Sequence, residues 1–289
     1  MTKAQVLSAF GPPDVMEWQD WDVPPPTRGE VRMRHTAIGI NFADAYHRGG
    51  VPHPWPVPEP PCVIGFEAAG IVEDVGPGVE NFTAGDRVAY GIPPLGSYAE
   101  IRNYPADKLL HLPHALEDKQ VAALLMKGMT AQYLLRRTYE VQPGDTILVH
   151  AAAGGMGLIL CSWANHLGAT VVGTVSTPEK AEIARAAGCH YPVVRKNQDF
   201  AQVCRDVTDG EGVAVVYEAI GRTRCRNRSI VSGRWACALL MATCRDRRTR
   251  SISSPISARG VRCSSRVPPS CIMWRSGRTS MLPPTSCST

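Results

Sequence analysis

The hydrophobic pattern changes its period part-way along the chain. From Val31 to about Leu112, short alternations of apolar and polar residues stand between glycine and proline turns. They are Val31–Ala37, Ala68–Val75, Arg87–Tyr90 and Tyr98–Asn103, separated by signals such as Gly76-Pro77-Gly78 and Gly85-Asp86. Alternation over so few residues predicts half-buried strands, so this segment reads as an all-β unit, a small barrel. At Lys119–Arg137 the pattern turns helical, with Ala122, Leu125, Met129 and Tyr133 on one face.

Beyond that helix, strands and helices alternate. Strand Thr146–His150, a glycine-rich turn and helix Met156–Leu167 come first. Strand Thr170–Thr174 follows, then helix Glu179–Ala187 with Pro178 at its first turn. Strand Tyr191–Val194, helix Asp199–Thr208 and strand Val213–Tyr217 complete the series. This order predicts an α/β domain with a parallel, doubly wound sheet. The series stops after about four strands, where such a sheet usually has six. The expected organisation is a β-barrel domain over 1–118, a partial cofactor domain over 119–221 and a foreign tail over 222–289. No internal repeat is visible.

Charge separates the tail from the body. Residues 1–221 carry 6 Lys and 11 Arg against 25 acids, a net −8; residues 222–289 carry 14 Arg, no Lys and one acid, a net +13. A body at −8 argues against a nucleic-acid surface there. Cysteine divides the same way, with Cys62, Cys161, Cys189 and Cys204 in the body and six more beyond it. There is no C-x-x-C pair, and scattered thiols suit a reducing compartment. With no apolar leader and no membrane-length run, the expected location is cytoplasmic and no membrane partner is expected.

The strongest chemical signal is Ala151-Ala152-Ala153-Gly154-Gly155-Met156-Gly157 between a buried strand and a helix. Glycines there let the backbone approach a pyrophosphate, and the helix N-terminus offers free N–H groups and a positive dipole end. Gly154, Gly155, Met156 and Gly157 are therefore candidate cofactor contacts; a tight turn without ligand is the alternative. At the end of the next strand, an NAD site would place an acid on the ribose hydroxyls. This chain has Ser176-Thr177-Pro178-Glu179-Lys180 instead, with Arg195 beyond the third strand. A hydroxyl and two cations suit a 2′-phosphate, so NADPH is the expected cofactor.

Four segments carry a resemblance. Asn41-Phe42-Ala43-Asp44-Ala45-Tyr46-His47-Arg48-Gly49-Gly50, Gly65-Phe66-Glu67-Ala68-Ala69-Gly70, Gly85-Asp86-Arg87-Val88 and Lys127-Gly128-Met129-Thr130-Ala131 occur in that order. Together they resemble the quinone oxidoreductase (zeta-crystallin-like) family of the zinc-free medium-chain dehydrogenases and reductases, over residues 1–221. The resemblance implies a GroES-like barrel and a truncated Rossmann domain. It also implies that Asn41 and Tyr46 line the substrate side of the nicotinamide, that Thr130 touches the nicotinamide end, and that Asp44 buttresses the loop. Loop-structuring is the plainer reading of Asn41 and Tyr46, and a solvated helix cation that of Lys127. Zinc alcohol dehydrogenases of the superfamily place a Cys and a His where this chain has Asn41 and Phe66, so no metal is expected. What remains is hydride transfer to a quinone or another conjugated carbonyl, with the proton from Tyr46 or water.

Residues 222–289 resemble nothing in that family and read as Arg, Ser, Pro and Cys with little periodicity, which predicts an aberrant, unstructured, disordered tail. The genetic code suggests why. Read from the third base of each preceding codon, Arg266–Arg275 permits Thr-Arg-Pro-Ala-Ile-Met-His-Tyr-Val-Ala, and Ser232–Ala236 permits Leu-Arg-Pro-Met-Gly. The family carries a Leu-Arg-Pro-x-Gly segment and a later Thr-Arg-Pro-x-x-x-x-Tyr segment in that order. One frame recovers both, which points to a frameshift near Gly221–Thr223. Its implied consequences are loss of the family's homodimer and an inactive product. An RNA-binding role for the Arg-rich tail is the class-changing alternative. The nucleotide sequence across codons 215–230 tests the frame: one or two bases added or removed there should open a reading that continues the family pattern, and its absence would sink the account.

Overall fold

The computed structural model describes residues 2–52 and 55–218 in full and the backbone of Ala238–Leu240. The chain divides into two units, Met1–Cys244 and Arg245–Thr289, and every described residue belongs to the first.

The N-terminal half is antiparallel. Strands β1 (Thr2–Leu7) and β2 (Met16–Trp21) pair, and β1 also takes the short β4 (Cys62–Val63). A second sheet holds β3 (Glu30–Ile38), β5 (Ala68–Val75), β6 (Arg87–Tyr90), β7 (Ile101–Pro105) and β8 (Leu110–His111), in the order β7-β3-β5-β6-β8. Alternation on β3 sends Val31 and Met33 inward, where Val72, Phe82, Val88, Tyr90 and Tyr104 close the core. Each such side chain contributes roughly 1.5–3 kcal/mol on burial.

Two local expectations shift. The strand expected at Tyr98 begins at Ile101, because Tyr98 and Ala99 turn to the other sheet: the Gln5 N–H donates to the Tyr98 carbonyl at 2.7 Å, and Ala4 bridges Ala99. The loop expected after Asn41 coils into helix α1 (Phe42–Arg48), because the Asp44 carboxylate accepts the Asn41 N–H at 2.8 Å and closes its first turn. Helix α2 (Asp118–Tyr133) follows the barrel and ends in a wider turn over Leu134–Thr138.

The second half is a parallel sheet. Strands β9 (Thr146–His150), β10 (Thr170–Val175), β11 (Tyr191–Val194), β12 (Val215–Glu218) and β13 (Ala238–Leu240) lie in the order β11-β10-β9-β12-β13. Helices α3 (Gly155–His166), α4 (Pro178–Ala186) and α5 (Phe200–Val207) connect them. Period two divides the strand side chains between both faces. Ile147, Val149 and Val171 share a core with Leu160, Cys161 and Ala164 of α3, while Leu148, Val172 and Val193 pack with Ala201 and Cys204 of α5. At Gly157 a Cβ would lie 2.3 Å from the Ala151 carbonyl oxygen and 2.7 Å from the Ala152 Cα. Only glycine lets α3 start so close to the turn.

The expectation for 222–289 lies outside the described residues except at β13, which pairs in parallel with Val216–Glu218. Alternation misses this strand because Ala236–Ala242 is an unbroken apolar run, the pattern of a strand buried on both faces. An apolar groove of about 670 Å³ opens between β8, α2 and Trp163, lined by Leu110, Leu116, Leu124 and Met129 among others.

Two predictions arise from the packing. His35 is held by the Ala99 carbonyl at 2.6 Å and the Tyr90 hydroxyl at 2.9 Å. Burial pushes its pKa down to about 4; the Ala99 carbonyl opposes this and the Arg102 charge adds to it. Between pH 6.5 and about 4 the unfolded chain takes up a proton that the folded ring refuses, so stability falls as pH drops through that window. The loss is at most about 3 kcal/mol, and His35→Gln should flatten that part of the curve of urea midpoint against pH. Gly157→Ala should cost at least about 2 kcal/mol by forcing helix from strand; an unchanged melting temperature would contradict the close approach.

Candidate functional site

The strand order reverses between β9 and β12, since the chain runs outward from β9 through β10 to β11 and then returns to β12 on the other side. In open parallel sheets ligands sit beyond the carboxyl ends of the strands at such a point. A cleft of about 260 Å³ lies there, lined by Ala151, Ala153, Gly154, Thr174, Val175, Ser176, Lys180 and Arg195.

Each wall has a local cause. Ala151 adopts φ 54°, a left-handed conformation that costs a non-glycine residue strain, and the Gly154 N–H returns to its carbonyl at 2.8 Å. Gly154 caps α3, so Gly155, Met156 and Gly157 form its first turn, whose N–H groups lack partners within the helix. Thr177 caps α4 by accepting the Lys180 N–H at 3.4 Å, which fixes Lys180 one turn from Ser176. The Arg195 N–H donates to the Val175 carbonyl at 3.2 Å and so brings Arg195 beside the end of β10. Glu179 is exposed, and its hydrogen bond with Thr177 holds its pKa below the usual carboxylate value. Two cations and a hydroxyl therefore share the cleft, and the one nearby acid points to its own helix cap.

The strand ends are tied together by a cluster that sequence reasoning missed. His150 Nδ1 meets the Thr174 hydroxyl at 2.9 Å, and its Nε2 lies 3.5 Å from Glu218 Oε2, with all three residues buried. One residue from each of β9, β10 and β12 is thereby joined. The polar ends of these otherwise apolar strands were the available signal.

On the barrel side, Asn41 is 6% exposed and stands at the start of α1. Its Nδ2 donates to Glu67 Oε2 at 2.7 Å, and its Oδ1 accepts from Lys127 Nζ at 2.9 Å. Glu67 is fully buried, and its Oε1 also accepts the Met126 N–H at 2.7 Å. Lys127 Nζ lies 3.7 Å from Glu67 Oε2 and donates to the Ala123 carbonyl at 3.0 Å. A Cβ on Gly155 would stand 3.5 Å from the Lys127 stem, so this side chain links the barrel cluster to the first turn of α3. Glu67 was a motif residue in the sequence without a role; an acid inside the apolar stretch Cys62–Ala69 was its signal.

The remaining candidates divide. Tyr46 is half-buried on α1 with its ring edge-on to Phe42 at 5.4 Å. Thr130 follows Lys127 on α2, and its hydroxyl donates back to the Met126 carbonyl at 2.9 Å. Asp44 accepts from the Tyr98 hydroxyl at 2.6 Å and from the Asn41 N–H, which braces the segment. Burial raises the Asp44 pKa, and those two hydrogen bonds oppose the rise. Phe66 is fully buried, edge-on to Trp55 at 4.8 Å. Among the described residues, no group of three or more His, Cys, Asp or Glu side chains is gathered as a metal would require.

Comparison with known proteins agrees with this frame. The family described as alcohol dehydrogenase GroES-like domain matches residues 27–114, and that described as zinc-binding dehydrogenase matches residues 155–234. The chain is 56% identical over 224 residues to a 2-haloacrylate reductase from Burkholderia sp., covering 77% of this chain and 67% of that protein. It is 46% identical over 222 residues to a quinone oxidoreductase from Pseudomonas aeruginosa, with the same two coverages of 77% and 67%. It therefore spans about two thirds of the length of these relatives. Among solved structures, Escherichia coli quinone oxidoreductase complexed with NADPH superposes with a TM-score of 0.76 at 41% identity, over 81% of this chain and 71% of that one. Sharing barrel, parallel sheet and sequence with these proteins, the chain belongs to the quinone oxidoreductase family of medium-chain dehydrogenases and reductases.

Proposed function

We propose that the chain carries the site of an NADPH-dependent reductase that delivers hydride to a quinone or another conjugated carbonyl. The observation that carries this reading is the single cleft shared by Gly154, Ser176, Lys180 and Arg195. In it, Gly154, Gly155, Met156 and Gly157 would seat the pyrophosphate at the start of α3, and Ser176, Lys180 and Arg195 would take the 2′-phosphate. Asn41, Tyr46 and Thr130 would face the nicotinamide end. Bound NADPH supplies the hydride; the chain supplies position, hydrogen bonds and the charge of Lys127.

No metal is needed in this reading, because those hydrogen bonds take the place of a Lewis acid at the carbonyl oxygen. The relatives' names support the substrate class, since quinones and 2-haloacrylates share a carbon–carbon double bond conjugated to a carbonyl group. Among the described residues, no helix is long and apolar enough to cross a membrane.

A second reading is favoured by the net −8 and +13 charges on either side of residue 221. In it, the cofactor cleft survives but turnover and the family's homodimer are lost with the family's C-terminal sequence.

Three measurements test these readings. NADPH should bind at least about ten-fold more tightly than NADH, and Lys180→Ala should remove most of that preference, because a charge-assisted bond is worth about 1.5–3 kcal/mol. Tighter NADH binding would overturn the cofactor assignment. Elemental analysis of purified protein should find no stoichiometric zinc, and one zinc per chain would refute the metal-free site. NADPH oxidation with a quinone or 2-chloroacrylate should be slow for the chain as it stands and rise at least ten-fold once the reading frame is restored near codon 222, along with dimerisation. Equal rates and equal masses would refute the second reading.

A further inference from the structure

The barrel cluster fixes more than the position of Asn41. Its amide lies between a carboxylate and an ammonium, with Nδ2 2.7 Å from Glu67 Oε2 and Oδ1 2.9 Å from Lys127 Nζ. Flipping the amide would set its oxygen against the carboxylate and its NH₂ against the cation, two repulsive contacts in a buried setting. The two charges therefore determine the orientation. An amide nitrogen has two hydrogens, and one is spent on Glu67. The oxygen faces the Lys127 ammonium and the Asp44 N–H of the capping box, so the position Asn41 leaves for an incoming group is its second N–H, a donor.

We propose that Glu67 and Lys127 are positioning residues that lock Asn41 as an N–H donor aimed at the substrate carbonyl oxygen. This deepens the reductase reading above and rests on it. Lys127 withdraws electron density through Oδ1, which strengthens the remaining N–H as a donor. The benefit falls in the transition state, when hydride from bound NADPH would reach the conjugated carbon, the double-bond electrons move onto oxygen, and that oxygen gains negative charge before Tyr46 or water protonates it. Lys127 suits the task because it spans both halves: its ammonium holds Asn41 while its stem lies against Gly155 at the first residue of α3. The donor is thereby held in register with the turn proposed to seat the cofactor.

Because Glu67 is fully buried and Lys127 is 21% exposed, the test uses Lys127 in the full chain and in the frame-restored protein. In the frame-restored protein, Lys127→Met should lower kcat for quinone about ten- to hundred-fold, in line with the loss of an aligned donor, and leave the NADPH dissociation constant within about three-fold. Lys127→Arg, which keeps the charge, should recover most of kcat. An independent readout needs no turnover. With ¹⁵N-labelled asparagine, the Asn41 side-chain amide protons of the full chain should exchange slowly and be inequivalent in the parent and in Lys127→Arg. In Lys127→Met they should exchange at least about ten-fold faster. Unchanged exchange in Lys127→Met overturns the lock, as does a kcat loss traced wholly to weaker NADPH binding. If the frame-restored parent reduces no quinone while the amide stays locked, the reductase reading fails and the lock stands.

Discussion

The arrangement depends on one buried carboxylate. Glu67 is shut off from solvent where the barrel meets α2; it accepts hydrogen bonds from the Met126 N–H and the Asn41 amide, and the Lys127 ammonium stands 3.7 Å away. An ionised carboxylate stripped of water costs several kcal/mol unless polar partners surround it, and here they come from two separate stretches of chain, the head of α1 and the middle of α2. The backbone must come close for this to work. At Gly39 a Cβ would stand 2.1 Å from the Ala122 carbonyl oxygen and 2.7 Å from Glu67 Oε2, so only glycine admits the segment between β3 and α1. The same Gly39 donates its N–H to the Glu67 carbonyl at 2.9 Å. Stability alone does not demand such a cluster, since a well-packed apolar substitute serves as well. Its value lies in the geometry it imposes.

The parallel sheet supplies the other half by a different route. Its strands are apolar on both faces, and polar side chains gather where β9, β10 and β12 end. Tight packing behind the turn and free N–H groups in front of it have one origin in the glycines of α3's first turn. Local charge runs against global charge: the body at −8 repels anions at long range, while Lys180 and Arg195 create a positive spot at the cleft. Short-range, partly desolvated cations prevail there because screening weakens the distant acids within about 10 Å at moderate ionic strength.

Much of this was legible in sequence. Strand Arg87–Tyr90, strand Thr146–His150 and strand Tyr191–Val194 fall where their patterns put them, since continuous or alternating apolar runs between glycine and proline have few other uses. That these residues share a cleft was legible for a related reason: Gly154, Ser176, Lys180 and Arg195 all follow strand ends, and parallel topology gathers strand ends. The barrel cluster was not. Glu67, Lys127 and Asn41 are far apart in the chain, and only the docking of α2 on the barrel brings them together. Helix α1 escaped because its signal is a cap, Asn41 with Asp44, at the head of only seven residues. The strands β1 and β2 were missed because their own polarity is mixed and β2 buries none of its residues.

Strand β13 bears on how new sequence enters old folds. Its residues lie beyond residue 234, where the family match ends, yet its backbone joins β12 in register. A parallel strand needs no particular side chain from a newcomer, only an extended, greasy backbone of a few residues whose amides can complete the ladder. An unfinished sheet edge is thus a permissive template. Whatever apolar run follows such an edge can extend the ladder by one strand, so the sheet tolerates wide change in the sequence that comes after β12.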